Sequence, residues 1–295
     1  MTREAAATIV MDGRGLAEEI KKEVAAGVRE LGNSGIDAGL ALLLVGGNPA
    51  SKQYFLATKK AAKKAGITIY EYVLPADASM GEILNIVNSV NRDERISGLL
   101  PLMPFPRRID TRRVVNAISP GKDVDGLGAI SIGRLQADEP TIFVPCTPFG
   151  VIRLLDHYGI NIRGKNAVVV GKSLAVGKPL ANMLLAREAT VTVCHKQTRD
   201  LAFFTGAADI VCSATGVKNL ISGRMIKEGA VVVDIGINVL ADGGIVGDVD
   251  FGSAMGKAGY LTPVPGGVGP VTIAMLLENT LKSAKRNENS QGALP

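Results

Sequence analysis

Short runs of β-branched or leucine-rich residues alternate with segments of helical spacing along the whole chain, and this alternation constrains the fold more than any other feature. It is the pattern of α/β architecture, in which mainly parallel strands are joined by crossover helices. With 295 residues, 46% of them hydrophobic, the chain can bury two cores, which predicts two domains and excludes disorder. The most apolar runs, 39–45 and 230–233, are strand-sized and far short of the ~18 residues of a membrane span, so no membrane association is expected. Charged Arg3 and Glu4 stand where a secretory signal would build its apolar segment, and the chain reads as cytoplasmic.

A net charge of +5, from 33 Lys+Arg against 28 Asp+Glu, is mild and dispersed. Aromatic residues make up only 4% and Trp is absent, so the stacking platforms of a nucleic-acid binder are missing and small anionic ligands fit the basic surface better. Three cysteines (Cys146, Cys194, Cys212) and two histidines (His157, His195) form no CxxC pair and no metal-ligand spacing. Neither a disulfide framework nor a metal site is expected.

In the first half the pattern predicts a helix over 15–31, a strand over 39–45, and a helix over 49–64 with Asn48 as N-cap and Pro49 at its first position. A strand over 67–73 follows, then a helix opened by Ser79 and Glu82 at capping-box spacing. A strand over 98–103, a turn at 104–106, a helix over 111–118 and a loop at 121–127 complete that half. The second half opens with a helix over 149–157 and continues with strands over 167–170, 190–194, 210–213 and 231–235. A boundary falls at 145–148, the last helix covers 271–285, and the polar tail 286–295 reads as frayed.

Four segments carry candidate chemistry. Residues 165–180 read as a strand, a turn holding Gly171 and Gly177, and a helix start, which can present backbone N–H groups and a helix dipole to a phosphate; a tight βα turn alone is the plainer alternative. The glycines are six apart and Ser173 replaces the usual second glycine. The following strand ends in Cys194, His195 and Lys196 without the acid that holds an NAD ribose, so Lys172 and Lys196 either flank a 2′-phosphate or serve as surface charges. Tyr54 and Thr58, spaced i and i+4, share a helix face. Asp123 and Asp125 alternate in a short loop, where a carboxylate recognising a ligand N–H is favoured over a cation cage. Residues 262–270, rich in Gly and Pro, form a stiff loop suited to close approach of a ligand, to an interdomain hinge, or to both.

Taken in order, Val45-Gly-Gly-Asn-Pro-Ala-Ser51 with Tyr54, Lys122-Asp-Val-Asp-Gly126, Pro145-Cys-Thr-Pro148, Val170-Gly-Lys-Ser173, Val176-Gly-Lys-Pro179, Val233-Asp-Ile-Gly-Ile-Asn238, Gly247-Asp248 and Pro263–Pro270 resemble the methylenetetrahydrofolate dehydrogenase/cyclohydrolase family, from about residue 9 to 285. The resemblance implies a folate-binding α/β domain over 1–147, with helix 271–285 packing back on it, and a Rossmann-like NADP domain over 148–270, with a cleft between them. It implies a homodimer formed through the NADP domain and a tetrahydrofolate-type substrate. Tyr54, Thr58, Leu102 and Asp125 are the implied catalytic positions; Tyr54 and Asp125 also line the folate site, as do Pro265, Gly266 and Gly267. Gly171, Lys172, Ser173, Val176, Gly177, His195, Lys196, Thr215 and Ile237 are the implied NADP residues, with Ile237 beside the nicotinamide.

Two positions depart from the family pattern. Members with both activities carry Tyr-x-x-x-Lys and a Gln in Val-Gln-Leu-Pro, whereas this chain has Thr58 and Leu102 there. Lys59 is turned by about 100° round the helix from position 58. Hydride removal from methylenetetrahydrofolate moves no proton and needs mainly orientation, while hydrolysis of the methenyl product needs proton shuttling. The reading is a monofunctional NADP-dependent dehydrogenase. Its alternatives are a bifunctional enzyme that recruits another group such as Lys59, a dehydrogenase for another pterin carrier such as a methanopterin, and a non-enzymatic NADP sensor.

Overall fold

The computed structural model describes residues 7–240 and 242–291. Two compact units divide it: one gathers the described residues up to Ala17 with Thr147–Thr272, the other gathers Glu18–Cys146 with the described residues from Ile273 on.

The unit containing Glu18–Cys146 is built on a three-stranded parallel sheet in the order Thr68–Leu74, Gly39–Val45, Gly98–Leu102. Every residue of the central strand is buried, which explains why its sequence runs unbroken in apolar residues instead of alternating. Helix Pro49–Lys64 starts where its local chemistry directs: the Asn48 side chain accepts the Ser51 N–H at 3.1 Å, and proline follows where no amide proton is needed. Helix Met80–Arg92 carries the reciprocal box, with Glu82 N–H donating to Ser79 Oγ at 3.2 Å and Ser79 N–H to Glu82 Oε2 at 2.6 Å. It lays Ile83, Val87 and Val90 into a core shared with Ala41, Leu43, Ile96 and Leu99. The helix expected over 111–118 is shorter, Thr111–Asn116, and a helix Ala129–Gln136 forms with no sequence-based counterpart. Gly128 gives that helix no side-chain cap, so its local start signal is weak.

The unit containing Thr147–Thr272 holds a wholly parallel six-stranded sheet in the order Ile9–Val10, Tyr260–Leu261, Val231–Asp234, Ile210–Ser213, Asn166–Val170, Thr190–Cys194. Ile9–Val10 pairs with Tyr260–Leu261, which places the described residues up to Ala17 in this unit. From Asn166–Val170 the chain passes first to one neighbouring position in the sheet and then to the other, a reversal that opens a crevice at the carboxyl ends of the strands. Helix Cys146–His157 begins before the expected residue 149. The final helix is Val268–Gln291, so the tail expected to fray from 286 is helical to Gln291, and residues 292–295 lie outside the described ones. Among the described residues no helix is long and apolar enough to cross a membrane.

Candidate active site

In the unit built on Gly39–Val45, the structure brings Tyr54, Thr58, Asp125 and Cys146 together. Tyr54 is half-buried on helix Pro49–Lys64, and burial, reinforced by the Asp125 charge, raises its phenol well above the ordinary value, so it stands protonated as a hydrogen-bond donor. Asp125 is itself pushed up to about 7, by burial first and by the neighbouring Asp123 second. Asp123 is a loop brace: its carboxylate accepts the Leu127 and Gly128 N–H groups at 3.1 and 2.8 Å and the Ser131 hydroxyl at 2.8 Å. The two alternating carboxylates therefore differ: Asp123 fixes the turn, while Asp125 is met by the Cys146 thiol and backbone.

Cys146 and Asn279, to which the sequence reading assigns no role in the site, brace the chain beside Asp125. The Cys146 thiol donates to Val124 O at 3.3 Å, and the buried Asn279 amide donates to the same carbonyl at 2.8 Å and to Cys146 Sγ at 3.5 Å. A polar side chain inside an apolar stretch of the last helix is the only trace of Asn279 in the sequence. Cys194 and Cys212 are buried, as expected of packing residues.

Thr58 lies one turn beyond Tyr54 and is fully buried. Its hydroxyl sits beside the phenol and favours the ionised form, yet it makes no well-formed hydrogen bond among the described residues. Leu102 ends strand Gly98–Leu102, paired with Leu44 and 1% exposed. The Ser51 hydroxyl donates to Met103 O at 2.9 Å and ties the first turn of the Tyr54 helix to the residue after Leu102. Lys59 is directed elsewhere, in an ion pair with Glu71 at 2.7 Å.

The nine expected cofactor residues all belong to the other unit, in the loops or helix starts that follow its strands. Gly171 has φ 121°, and a Cβ there would overlap the Ala214 carbonyl; a Cβ on Gly177 would overlap the Gly171 carbonyl. The two glycines are thus fixed by backbone-to-backbone approach at the sheet's reversal point, the cradle that a pyrophosphate requires. The Ser173 hydroxyl accepts the Val176 and Gly177 N–H groups at 3.1 and 3.3 Å and shapes the entry to helix Gly177–Ala186. Val170 and Cys194 are register partners, so exposed Lys172 and Lys196 follow adjacent strand ends. His195 Nδ1 accepts the Gln197 N–H at 3.2 Å. Ile237 is 59% exposed, and Thr215 is half-buried with its hydroxyl on Asp248 Oδ2 at 2.8 Å. Pro265, Gly266 and Gly267 also lie in this unit: the Gly13 N–H donates to Gly266 O at 3.0 Å, and Gly267 closes a turn onto Pro263 O at 2.8 Å. The structure does not gather them with Tyr54 and Asp125 in one unit.

A crevice-bearing parallel sheet with a glycine cradle and no ribose-binding acid, joined in one chain to a separate substrate unit, defines a nicotinamide-dependent oxidoreductase. Residues 145–288 match the tetrahydrofolate dehydrogenase/cyclohydrolase NAD(P)-binding domain, and residues 11–125 match the catalytic domain of the same family. The bifunctional protein FolD of Pelobacter propionicus is 50% identical over 277 residues, 94% of this chain and 98% of that protein. The crystal structure of the bifunctional FolD of Campylobacter jejuni superimposes with a TM-score of 0.93 at 46% identity, covering 95% of this chain and 99% of that one. That of Trypanosoma brucei FolD, complexed with NADP and an inhibitor, gives 0.92 at 38% identity, covering 95% and 98%. This chain belongs to the tetrahydrofolate dehydrogenase/cyclohydrolase family and is an enzyme of that family.

Two outcomes follow for the substrate side. Thr58→Val keeps the side-chain shape and removes an unpartnered buried hydroxyl, so urea unfolding should show a gain of about 1 kcal/mol; a loss would mean that the hydroxyl is bonded in solution. Asp125 has a folded value of about 7 against an ordinary 3.8, so its neutral form is favoured by folding. The stability it lends is full below about pH 4, falls as pH rises towards 7 and is lost above that. Asp125→Asn escapes that loss: its stability relative to the parent should increase between pH 5 and pH 8, and a constant difference would show an unperturbed carboxyl.

Proposed function

We propose that this chain oxidises 5,10-methylenetetrahydrofolate to 5,10-methenyltetrahydrofolate with NADP and leaves the product unhydrolysed. The observation that carries the reading is the pair at positions 58 and 102: a buried hydroxyl without a partner and a buried leucine, beside an otherwise equipped Tyr54 and Asp125. Bound NADP supplies the acceptor for the hydride. The cradle of Gly171 and Gly177 suits its pyrophosphate, Lys172 and Lys196 suit a 2′-phosphate, and exposed Ile237 suits the nicotinamide.

Loss of hydride from the carbon between N5 and N10 leaves a cation shared by both nitrogens, with no proton to move. The protein's task is orientation. Asp125, held by the Val124 carbonyl and its Cys146 and Asn279 donors, accepts pterin N–H groups in its ionised form. Tyr54, protonated, donates a hydrogen bond without adding charge. Hydrolysis asks for more, because water must add and protons must be carried. A threonine hydroxyl has little basicity, leucine has no polar atom, and Lys59 is engaged with Glu71. A homodimer through the NADP-binding unit is part of the same proposal, supported by the outer position of strand Thr190–Cys194 in its sheet and by Phe203, 70% exposed.

Purified protein should reduce NADP with methylenetetrahydrofolate while methenyl absorbance accumulates, and added methenyl-folate should decay at the buffer rate. Acid–base help of this kind is worth about 10²–10⁴ in rate. Methenyl decay that accelerates in proportion to enzyme concentration would overturn the monofunctional reading and favour the bifunctional one. For cofactor choice, Lys196→Ala should weaken NADP binding about ten- to a hundredfold and leave NAD binding unchanged, as titration by nicotinamide fluorescence would show. An unaltered preference would mark Lys196 as a surface charge only.

A further inference from the structure

The loops that this reading places against the cofactor are joined by a carboxylate that does not itself reach the surface. Asp248 is 0% exposed. Its Oδ2 accepts the Ser213 hydroxyl at 2.9 Å, the Thr215 N–H at 2.6 Å and the Thr215 hydroxyl at 2.8 Å. Its Oδ1 accepts the Val217 N–H at 3.0 Å and an Asn238 amide N–H at 3.2 Å. Gly236 packs so closely on the same carboxylate that a Cβ there would overlap it. The donors thus come from the end of one strand and its following loop, Ser213, Thr215 and Val217, and from Asn238 after the next strand, while Gly236 packs on the same carboxylate, so that Thr215 and Ile237 both lie between residues that meet Asp248. From below, Asp234 holds the hub: its Oδ1 accepts the Asp248 N–H at 2.9 Å and its Oδ2 the Val249 N–H at 2.8 Å.

We propose that Asp248 is the positioning residue of the cofactor site, fixing Thr215 and Ile237 relative to each other so that the nicotinamide side of the site is formed before the cofactor arrives. The proposal rests on the NADP-dependent reading. Each carboxylate oxygen receives one backbone N–H, Thr215 on Oδ2 and Val217 on Oδ1, and backbone donors cannot reverse. In Asp248→Asn, either orientation of the amide therefore sets N–H against N–H. A buried charge-assisted contact turned repulsive loosens both loops without touching the folate residues.

The test is equilibrium NADPH binding, followed by nicotinamide fluorescence, on the full chain and on Asp248→Asn. The variant should bind NADPH about ten- to a hundredfold more weakly, while its KM for methylenetetrahydrofolate at saturating NADP stays within about twofold. Ser213→Ala supplies a milder arm. Ser213 is fully buried and cannot meet the cofactor, so a loss of about three- to tenfold in NADPH affinity must pass through Asp248. Ser213→Thr, which keeps the hydroxyl, should restore most of it. NADPH affinity unchanged in both Asp248→Asn and Ser213→Ala, or a folate KM rising in step with the NADPH constant, overturns the proposal. If Asp248→Asn does not fold, the two Ser213 variants decide. Wild-type protein that binds NADPH but oxidises no methylene-folate sinks the functional reading and leaves the binding arms to judge Asp248; wild-type protein that binds no NADPH sinks both.

Discussion

Carboxylates buried against backbone amides hold the working loops of both units in place. Asp123, Asp234 and Asp248 are 2%, 3% and 0% exposed, and each spends its oxygens on N–H groups and hydroxyls of the chain that surrounds it. Desolvating a carboxylate is costly, and only several short, well-aimed donors offset it. The cost is visible in Asp234, which is raised to about 6 by burial in spite of three backbone donors. What the arrangement gains is rigidity exactly where loops are otherwise mobile: at the end of a parallel strand, where the chain must turn and a ligand must be met.

Glycine placement depends on the same crowding. Gly236 and Gly247 have no room for a Cβ because the carboxylates of Asp248 and Asp234 press on them, and Gly171 and Gly177 have none because carbonyl oxygens do. A side chain at Gly171, Gly236 or Gly247 would push apart segments that leave neighbouring strands, and one at Gly177 would push the helix start off the Gly171 turn. The close turn is therefore a packing consequence of the sheet's reversal point, and on the proposed reading this is the turn that meets the cofactor phosphates.

How much of this was legible in the sequence follows the range of the interactions. Helix starts at Pro49 and Met80 were readable because Asn48, Ser79 and Glu82 act within three residues of themselves. Strand Gly39–Val45 was readable as a short, unbroken apolar run of strand length. Strand Ile9–Val10 was not, since two residues carry no period and their partner lies at Tyr260 and Leu261. In the site, Tyr54, Asp125 and the glycines were legible as residue types in ordered motifs, but what supports them was not. Asn279 meets Val124 across 155 positions, and Asp248 meets Ser213 across 35. Buried polar side chains reveal partners only after folding.

The separation of the two family chemistries has the same physical root. On the proposed reading, orientation resides in Asp125 and its braces, in the cofactor loops and in the carboxylates beneath them, so it is distributed over both units. On the same reading, proton shuttling resides in side-chain atoms at positions 58 and 102. Exchanging those for Thr58 and Leu102 leaves helix Pro49–Lys64 and strand Gly98–Leu102 intact, with the Ser51 hydroxyl still fastened to Met103 O. The remaining trace is a hydroxyl buried without a partner, a local defect of about 1–3 kcal/mol that the rest of the core tolerates. On the proposed reading, hydrolysis is the activity that such a fold can lose by two substitutions, whereas hydride transfer can be lost only by disturbing the scaffold that positions both reactants.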